Sequence, residues 1–404
     1  MVKLKEKLAV LSRPPSKPPE PAKPEFLVFG KPDIGEYEID AVAAVMRSGW
    51  LSTGPKVSEF EKAFEEFLGS GYAVALSSCT EALRLALAVS NAGCGDEVIT
   101  SPMTFAATAN AIIANDSTPV FVDVTPSGHM DPWQIEQKIT DKTRAIIPVH
   151  YAGASAELNS IHEIADRRGI TVIEDAAHSF DGWYVEPMKD NLPGLRHKIG
   201  TVSPFTCFSF YPTKNITCGE GGMVVCRNKD LAERIKTLSM QGLSSGSWRR
   251  YGSGPITNYE VSYAGYKGNM TDISASIGLA QLKRWPEMKA KREAIWTIYE
   301  DAFGLKEPGH SKHLFTIRSP KRDHLRQHLH DRGIGTGIQF KALHLEPAYA
   351  FLKYKRGDFP KAERLGEETL SLPVSSTMSL EDAKRVVAAV KEFKESTGNE
   401  NHDH

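Results

Sequence analysis

The chain lacks the features that mark membrane, secreted and metal-binding proteins. No apolar run approaches the roughly 18 residues of a membrane span, and the first residues lack the apolar stretch of a secretion signal. A net charge of −1 argues against nucleic acid as the main partner. The five cysteines form no CxxC pair and no metal-ligand spacing, which predicts reduced thiols and no metal site: Cys79, Cys94, Cys207, Cys218 and Cys226. We therefore expect a cytoplasmic protein without a membrane span.

The chain has enough apolar sequence for a large core. Of its 404 residues, 41% are hydrophobic and 25% are charged, and this length favours two domains over one. Six prolines between Pro14 and Pro24 predict an extended amino-terminal arm at residues 1–25. We expect a large domain at 26–290, a small domain at 291–395 and a flexible tail at 396–404.

Short apolar runs alternate with helical patterns along the predicted large domain. Helical spacing is clear at 55–68, where Val57, Phe60 and Phe64 recur at intervals of three and four. Because runs that are apolar on both faces are typical of buried parallel strands, the alternation predicts an α/β fold with a mostly parallel seven-stranded sheet between helices. The predicted strands are 72–76, 97–100, 120–124, 145–149, 170–173, 206–210 and 223–226.

The pattern changes towards the carboxyl terminus. Two helices are expected at 272–283 and 286–303, on either side of the break that Pro286 normally makes. A βαβ-like segment follows, with a strand at 315–317 and a helix at 322–332, and the last helix is expected at 380–393. These elements form the predicted smaller α+β domain.

Asp175 and Lys214 lie at the ends of predicted strands, where open α/β sheets bind ligands. Asp175 closes an apolar run, while Lys214 follows the hydroxyl of Ser209 and precedes the glycine turn at 219–222. Pyridoxal phosphate needs this set, because an acid keeps its pyridine nitrogen protonated and a lysine forms the Schiff base and moves the proton. The alternatives are a solvated loop lysine and a turn aspartate.

A second candidate site lies at 77–83, where the run Ser-Ser-Cys-Thr-Glu-Ala-Leu opens a predicted helix. The free backbone N–H groups and the dipole of a helix start favour a phosphate. The alternative interpretation is an ordinary serine or threonine N-cap.

Together these motifs resemble the DegT/DnrJ/EryC1/StrS sugar aminotransferases, and their order and spacing agree from about residue 29 to residue 387. The resemblance implies a fold-type I, pyridoxal-phosphate-dependent aminotransferase, usually a homodimer with its active sites at the subunit interface. The motifs are the run at 77–83, Thr-Phe-Ala-Ala-Thr-Ala-Asn at 104–110, Glu-Asp-Ala-Ala-His at 174–178, the lysine segment at 209–222 and Gly-Leu-Ala-Gln-Leu at 278–282.

The resemblance also implies roles for single residues. Lys214 is expected to form the Schiff base and Asp175 to partner the pyridine nitrogen. Phe105 is expected to stack on the cofactor ring, with core packing as the alternative. His178 is expected near the cofactor's phenolic oxygen, and the alternative is a bond to a loop carbonyl. The expected phosphate ligands are Ser209, Thr80 and the backbone around Ser78 and Cys79.

Two segments depart from the usual family pattern. Cys79 stands where many members have a glycine that approaches the phosphate, and its small side chain is expected to leave the site intact. Residues 265–269 read Gly-Tyr-Lys-Gly-Asn where many members have Gly-Tyr-Asn-Tyr-Arg. In the family this segment reaches the neighbouring subunit's cofactor phosphate, so either Lys267 or Asn269 is expected to make that contact.

The variant pattern is similar to the branch that aminates C4 of UDP-linked keto sugars. A nucleotide sugar carries a diphosphate, so basic residues are expected at the pocket mouth, with Arg249, Arg250 and Lys267 as candidates. Trp50 is expected to line the sugar pocket or to pack in the core. The predicted function is transfer of an amino group from L-glutamate to a nucleotide-linked keto sugar.

Three alternative functions follow from the same fold. One is amination of a free cyclitol ketone, and another is a non-catalytic ligand-binding regulator. The third is a sugar dehydratase, against which the retained Lys214 argues because dehydratases of this fold carry histidine there.

Overall fold

The computed structural model describes residues 25–186, 194–243, 260–304 and 309–397. Its strands are β1 (Tyr72–Leu76), β2 (Glu97–Thr100), β3 (Thr118–Phe121), β4 (Thr143–Ile146), β5 (Thr171–Asp175), β6 (Trp183–Glu186), β7 (Leu195–Lys198), β8 (Phe205–Ser209), β9 (Gly222–Cys226), β10 (Phe315–Arg318) and β11 (Thr369–Leu372). Its helices are α1 (Glu36–Ser48), α2 (Pro55–Leu68), α3 (Cys79–Val89), α4 (Ala106–Ile113), α5 (Pro132–Lys138), α6 (Leu158–Arg168), α7 (Lys229–Ser239), α8 (Asp272–Phe303), α9 (Arg322–Asp331), α10 (Pro360–Glu368) and α11 (Leu380–Thr397).

A seven-stranded sheet forms the centre of the fold, in the order β1-β9-β8-β5-β4-β2-β3. Strand β9 runs antiparallel to both neighbours, and the remaining pairs are parallel. The predicted α/β fold and the mostly parallel sheet are therefore confirmed, and each predicted strand exists within a few residues of its expected position. β6 and β7 form a separate antiparallel pair.

The two faces of the sheet pack against different apolar clusters. Phe64 and Phe208 belong to the cluster on one face, and Leu83 and Val224 to the cluster on the other. All five residues of β9 are buried. Burial on both faces explains why these strands read as continuous apolar runs, since each fully buried large side chain contributes about 1.5–3 kcal/mol.

Carboxylates cover the free edge of β1. Ala73 N–H donates to Glu65 Oε1 at 2.9 Å, and Ala75 N–H donates to Glu61 Oε1 at 3.1 Å. The other oxygen of Glu61 accepts from Lys236 at 2.7 Å. The unpaired strand edge is thus satisfied by side chains and is closed to further strand pairing.

The carboxyl-terminal part contains a small sheet of its own. β10 and β11 pair in antiparallel fashion, so the expectation of a βαβ-like unit was wrong in its strand direction. Tyr299, Phe315 and Val390 belong to a third apolar cluster, which packs helices against this pair. The division of the chain into two domains stays a prediction.

Helix α8 is continuous where two helices were expected. It runs for 32 residues with Pro286 inside it, although a proline in a helix interior costs about 3 kcal/mol. Burial around the proline offsets this cost: Trp285 and Met288 are buried, and Trp285 Nε1 donates to Asp181 at 2.9 Å. Within the described ranges, no helix has the length and apolarity to cross a bilayer.

The sheet topology brings the predicted site loops together. β1, β5 and β8 point the same way, because β9 runs antiparallel to both β1 and β8 while β5 runs parallel to β8. Their carboxyl ends therefore lie at one edge, with the segments that follow each of them.

Candidate active site

Lys214 lies in a tight loop between β8 and β9. Its N–H donates to Tyr211 O at 2.9 Å, and the loop closes where Cys218 N–H donates to Phe210 O at 2.9 Å. Loss of hydration lowers the pKa of Lys214 from 10.5 to about 8, and the nearby Cys79 and Asp175 oppose this shift. At pH 7 about a tenth of Lys214 is consequently a neutral amine, against well under a thousandth for a lysine of ordinary pKa, and the neutral form is the nucleophile and proton acceptor.

Asp175 ends β5 and is buried. Its Oδ2 accepts from Thr108 Oγ1 at 2.7 Å, and its Oδ1 accepts from Ala177 N–H at 3.1 Å. Burial raises the pKa of this carboxyl, while the bond from Thr108 opposes the rise. A buried carboxylate of this kind favours a cationic partner, such as a protonated pyridine nitrogen.

Thr108 was not among the predicted site residues. Its hydroxyl lies 2.7 Å from that of Thr104, one turn earlier, and the two form a short chain that ends on Asp175. Two threonines at i and i+4, at the start of a helix that follows a strand, were the available signal.

His178 is 8% exposed, and its Nδ1 is buried without a hydrogen-bond partner in the described residues. Its ring stacks on Phe340 at 5.5 Å between centroids and lies 4.8 Å from the ring of His313. Burial, Lys214 and His310 hold the pKa of His178 well below its ordinary value, so the ring is neutral. The alternative interpretation was a hydrogen bond from this ring to a loop carbonyl, and the ring makes no such bond to the described residues.

The start of α3 forms the candidate phosphate loop. Ser78 Oγ accepts from Glu81 N–H at 3.1 Å and so acts as the N-cap. This leaves the N–H groups of Cys79 and Thr80 without acceptors inside the helix. A Cβ on Gly222 would lie 2.3 Å from Ser78 C and 2.4 Å from Cys79 N, so glycine is needed for this approach.

The remaining cofactor candidates lie around this loop. Ser209 is half-buried at the end of β8, and its Oγ is 3.4 Å from Tyr211 N. Phe105 is 62% exposed, which is inconsistent with core packing, and its ring is 6.0 Å from that of Phe340. Cys79 is buried, with its thiol 3.6 Å from Cys207 O.

Residues 265–269 run beside the end of β1 of the same chain. Gly268 O accepts from Ser77 N–H at 2.7 Å, and Asn269 Nδ2 donates to Thr53 Oγ1 at 2.6 Å. Asn269 Oδ1 is buried and unbonded to any described residue, whereas Lys267 is exposed. Contact of either side chain with a partner subunit stays a prediction.

Of the substrate candidates Trp50, Arg249 and Arg250, the structure describes Trp50. Trp50 is half-buried between α1 and α2, and its N–H donates to Ser48 Oγ at 3.2 Å. Arg249 and Arg250 lie outside the described residues.

The site fits pyridoxal phosphate on three structural grounds. Lys214 has a lowered pKa, His178 Nδ1 is buried and unpartnered within the described chain, and Gly222 keeps the phosphate loop close to β9. Lys214 and Asp175 would hold the ring, and the start of α3 would hold the phosphate.

Comparison with known proteins agrees with this geometry. Residues 32–391 match the model of the DegT/DnrJ/EryC1/StrS aminotransferase family. The spore coat polysaccharide biosynthesis protein SpsC of Bacillus subtilis is 41% identical over 387 residues, which cover 91% of this chain and 97% of SpsC.

Solved structures show the same fold. The sugar aminotransferase candidate Spr1654 of Streptococcus pneumoniae, in its PLP-form, is 30% identical with a TM-score of 0.83, covering 93% of this chain and 100% of that one. PseC of Helicobacter pylori, an aminotransferase involved in the biosynthesis of pseudoaminic acid, is 28% identical with a TM-score of 0.82, covering 92% and 100%.

Proposed function

The chain belongs to the DegT/DnrJ/EryC1/StrS aminotransferase family and is a pyridoxal-phosphate-dependent sugar aminotransferase; from this premise we propose that it moves an amino group from L-glutamate to the C4 keto group of a UDP-linked or similar nucleotide-linked sugar. The observation that carries the proposal is the placement of Asp175, His178 and the lowered-pKa Lys214 in one site beside a helix start. Amino sugars made in this way would enter polysaccharide or modified-lipid synthesis.

The chain's own residues divide the work. Pyridoxal phosphate, when bound, supplies an electron sink for the pair that is released when the substrate's alpha carbon loses its proton. Asp175 would hold the ring nitrogen and favour its protonated form, and Thr108 holds Asp175 in place through the 2.7 Å bond.

Lys214 carries the proton. Because the pKa of Lys214 is about 8, its Nζ has a free electron pair in about a tenth of molecules at pH 7, far more than for an ordinary lysine. Nζ acts first as a base, when it takes the proton from the alpha carbon of the amino-acid substrate, and then as an acid, when it gives that proton up again. His178, neutral and beside this amine, would donate a hydrogen bond to the cofactor's phenolic oxygen.

Substrate recognition is proposed for the exposed rim of the site. A diphosphate needs cationic partners, and Arg249, Arg250 and Lys267 are the candidates, with Trp50 against the sugar. We also propose a cytoplasmic homodimer. Aromatic side chains support the dimer, since Phe105 is 62% and Tyr211 48% exposed in the single chain and a second subunit would cover them.

A two-step absorbance experiment tests the proposal. The visible band of lysine-bound pyridoxal phosphate is expected to disappear with L-glutamate and to return when a UDP-linked 4-keto sugar is added. Lys214→Ala is expected to abolish both changes. Return of the band with a free cyclitol ketone and not with the nucleotide sugar would contradict the proposed substrate. Absence of any lysine-bound band in the wild-type enzyme would contradict the proposed chemistry.

A further inference from the structure

Residues 309–314 lie between loops of the candidate site, although they are distant from them in sequence. Ser311 N–H donates to Gly153 O at 2.9 Å, in the segment after β4. The hydroxyl of Ser311 donates to His178 O at 2.6 Å, in the segment after β5. The segment is thus hydrogen-bonded to two strand-end loops at once, so a shift of this segment would move both loops of the site.

Asn215, the residue after Lys214, is bonded to this segment through both ends of its amide. Its Nδ2 donates to Ser311 O at 2.8 Å, and its Oδ1 lies 3.1 Å from His313 Nδ1. A carbonyl oxygen can accept but not donate, so the bond to Ser311 settles the orientation of the amide. His313 Nδ1 must therefore carry the hydrogen that Asn215 Oδ1 accepts.

His313 is held rigidly and is uncharged. The side chain is 3% exposed, and Arg292 Nη2 donates to its backbone carbonyl at 2.9 Å. Burial holds the pKa of His313 well below its ordinary value, and the neighbouring His178, Lys214 and Arg292 act in the same direction. Its ring also lies 4.8 Å from that of His178, so it contacts the site on two sides.

We propose that His313 is a positioning residue for Lys214: by donating to Asn215 Oδ1 it fixes the residue next to the reactive lysine and keeps that oxygen engaged. This inference rests on the proposed role of Lys214. Asn215 is 3% exposed, so its oxygen cannot turn to solvent if His313 is lost. The carbonyl end of Asn215 would then lack its donor, and the loop that keeps Lys214 dehydrated would no longer be fixed at this point.

The other charged and titratable groups near Lys214 stay in place when this bond is broken. They are Cys79, Asp175 and His178. Loss of the bond is therefore expected to raise the pKa of Lys214 above about 8, and a control variant in the same segment separates this rise from one caused by general loosening.

Three variants separate the hydrogen bond from the volume of the ring. His313→Leu keeps a bulky apolar side chain without a donor, whereas His313→Asn keeps an N–H donor in a smaller side chain. His310→Leu is the matched control, because His310 is a buried histidine of the same segment whose Nδ1 accepts from Lys312 N–H at 2.9 Å.

The measurement is the pH dependence of acylation at Lys214 by acetic anhydride in the cofactor-free full-length chain, quantified by peptide mass spectrometry. His313→Leu is expected to raise the pH midpoint of Lys214 acylation by about one unit, which is a tenfold change in the ratio of neutral to charged amine at a given pH. His313→Asn and His310→Leu are expected to stay within about 0.3 unit of wild type.

Equal midpoints in His313→Leu and wild type would overturn the inference. Equal shifts in His313→Leu and His310→Leu would overturn it as well, since they would report general loosening. The same holds if His313→Asn shifts as far as His313→Leu. Borohydride reduction of the cofactor-loaded wild-type enzyme tests the role of Lys214 separately, because it fixes the cofactor covalently to the lysine that binds it. Attachment of the cofactor to a residue other than Lys214 would refute the proposed function, whatever the acylation midpoints are.

Discussion

Replacing Thr108 with valine is expected to destabilise the protein in a pH-dependent manner. Thr108 Oγ1 donates to Asp175 Oδ2 at 2.7 Å, and both residues are buried. Valine fills nearly the same volume, so the principal loss is a hydrogen bond to a charged group, about 1.5–3 kcal/mol. Against a typical total stability of about 5–15 kcal/mol, such a loss is readily measured.

The pH dependence follows from Asp175. Burial places its folded-state pKa above the ordinary 3.8, and the Thr108 bond limits that rise. Because the folded state holds its proton more tightly than the unfolded state, stability falls as pH rises from below the unfolded pKa through the folded pKa. Thr108→Val raises the folded pKa further. The stability difference from wild type is therefore expected to be smallest near about pH 3, where only the loss of the bond between Thr104 and Thr108 remains, and full above about pH 7.

Urea unfolding at the two pH values provides the assay, with Thr100→Val as the control. Thr100 Oγ1 is also buried, but it donates to the uncharged carbonyl of Ile147 at 2.9 Å. Its loss is expected to cost about 1 kcal/mol at either pH. Equal losses for Thr108→Val at both pH values, or the same profile in both variants, would refute the reasoning about Asp175.

Two further predictions concern the frame of the site. Gly222→Ala is expected to lower stability in thermal unfolding by about 1–3 kcal/mol and to weaken binding of pyridoxal phosphate, because its Cβ would lie 2.3 Å from Ser78 C. Gly93→Ala is the control, since nothing lies within 4 Å of the added Cβ. Equal losses of stability in both variants would contradict the argument. Glu174 accepts from His150 Nε2 at 2.8 Å and from Thr206 at 3.0 Å, and its lowered pKa means stabilisation that is present above the ordinary 4.5 and lost as pH falls. Glu174→Gln is expected to lower the free energy of unfolding by about 1–3 kcal/mol at neutral pH, measured by urea unfolding. A difference from wild type that is as large near about pH 3 as at neutral pH would be inconsistent with an ionised Glu174.

Local patterns were sufficient for most of the central sheet. Strands such as β9, with every residue buried, leave a continuous apolar run in the sequence that has few other interpretations. The positions of Asp175 and Lys214 followed from the same rule, because parallel strands bring their carboxyl ends to one edge. The DegT/DnrJ/EryC1/StrS resemblance added roles to residues whose neighbourhood the strand pattern had already indicated.

Local patterns failed where distant contacts decide the outcome. Pro286 predicts a helix break, yet α8 continues because Trp285 and Met288 are buried around it. The antiparallel pairing of β10 with β11 joins strands that are far apart in the chain, and the periodicity of either strand carries no information on direction.

The amino-acid sequence by itself determined the α/β architecture and the family, and it predicted the roles of Asp175 and Lys214, because burial periodicity and strand-end motifs are local properties. Tertiary structure decided which side chains support those two residues. Thr108 is 67 positions from Asp175, and His313 is 98 positions from Asn215. Hydrogen bonds over such separations depend on how helices and loops pack, and the lowered pKa of Lys214 arises from the loss of hydration that this packing produces.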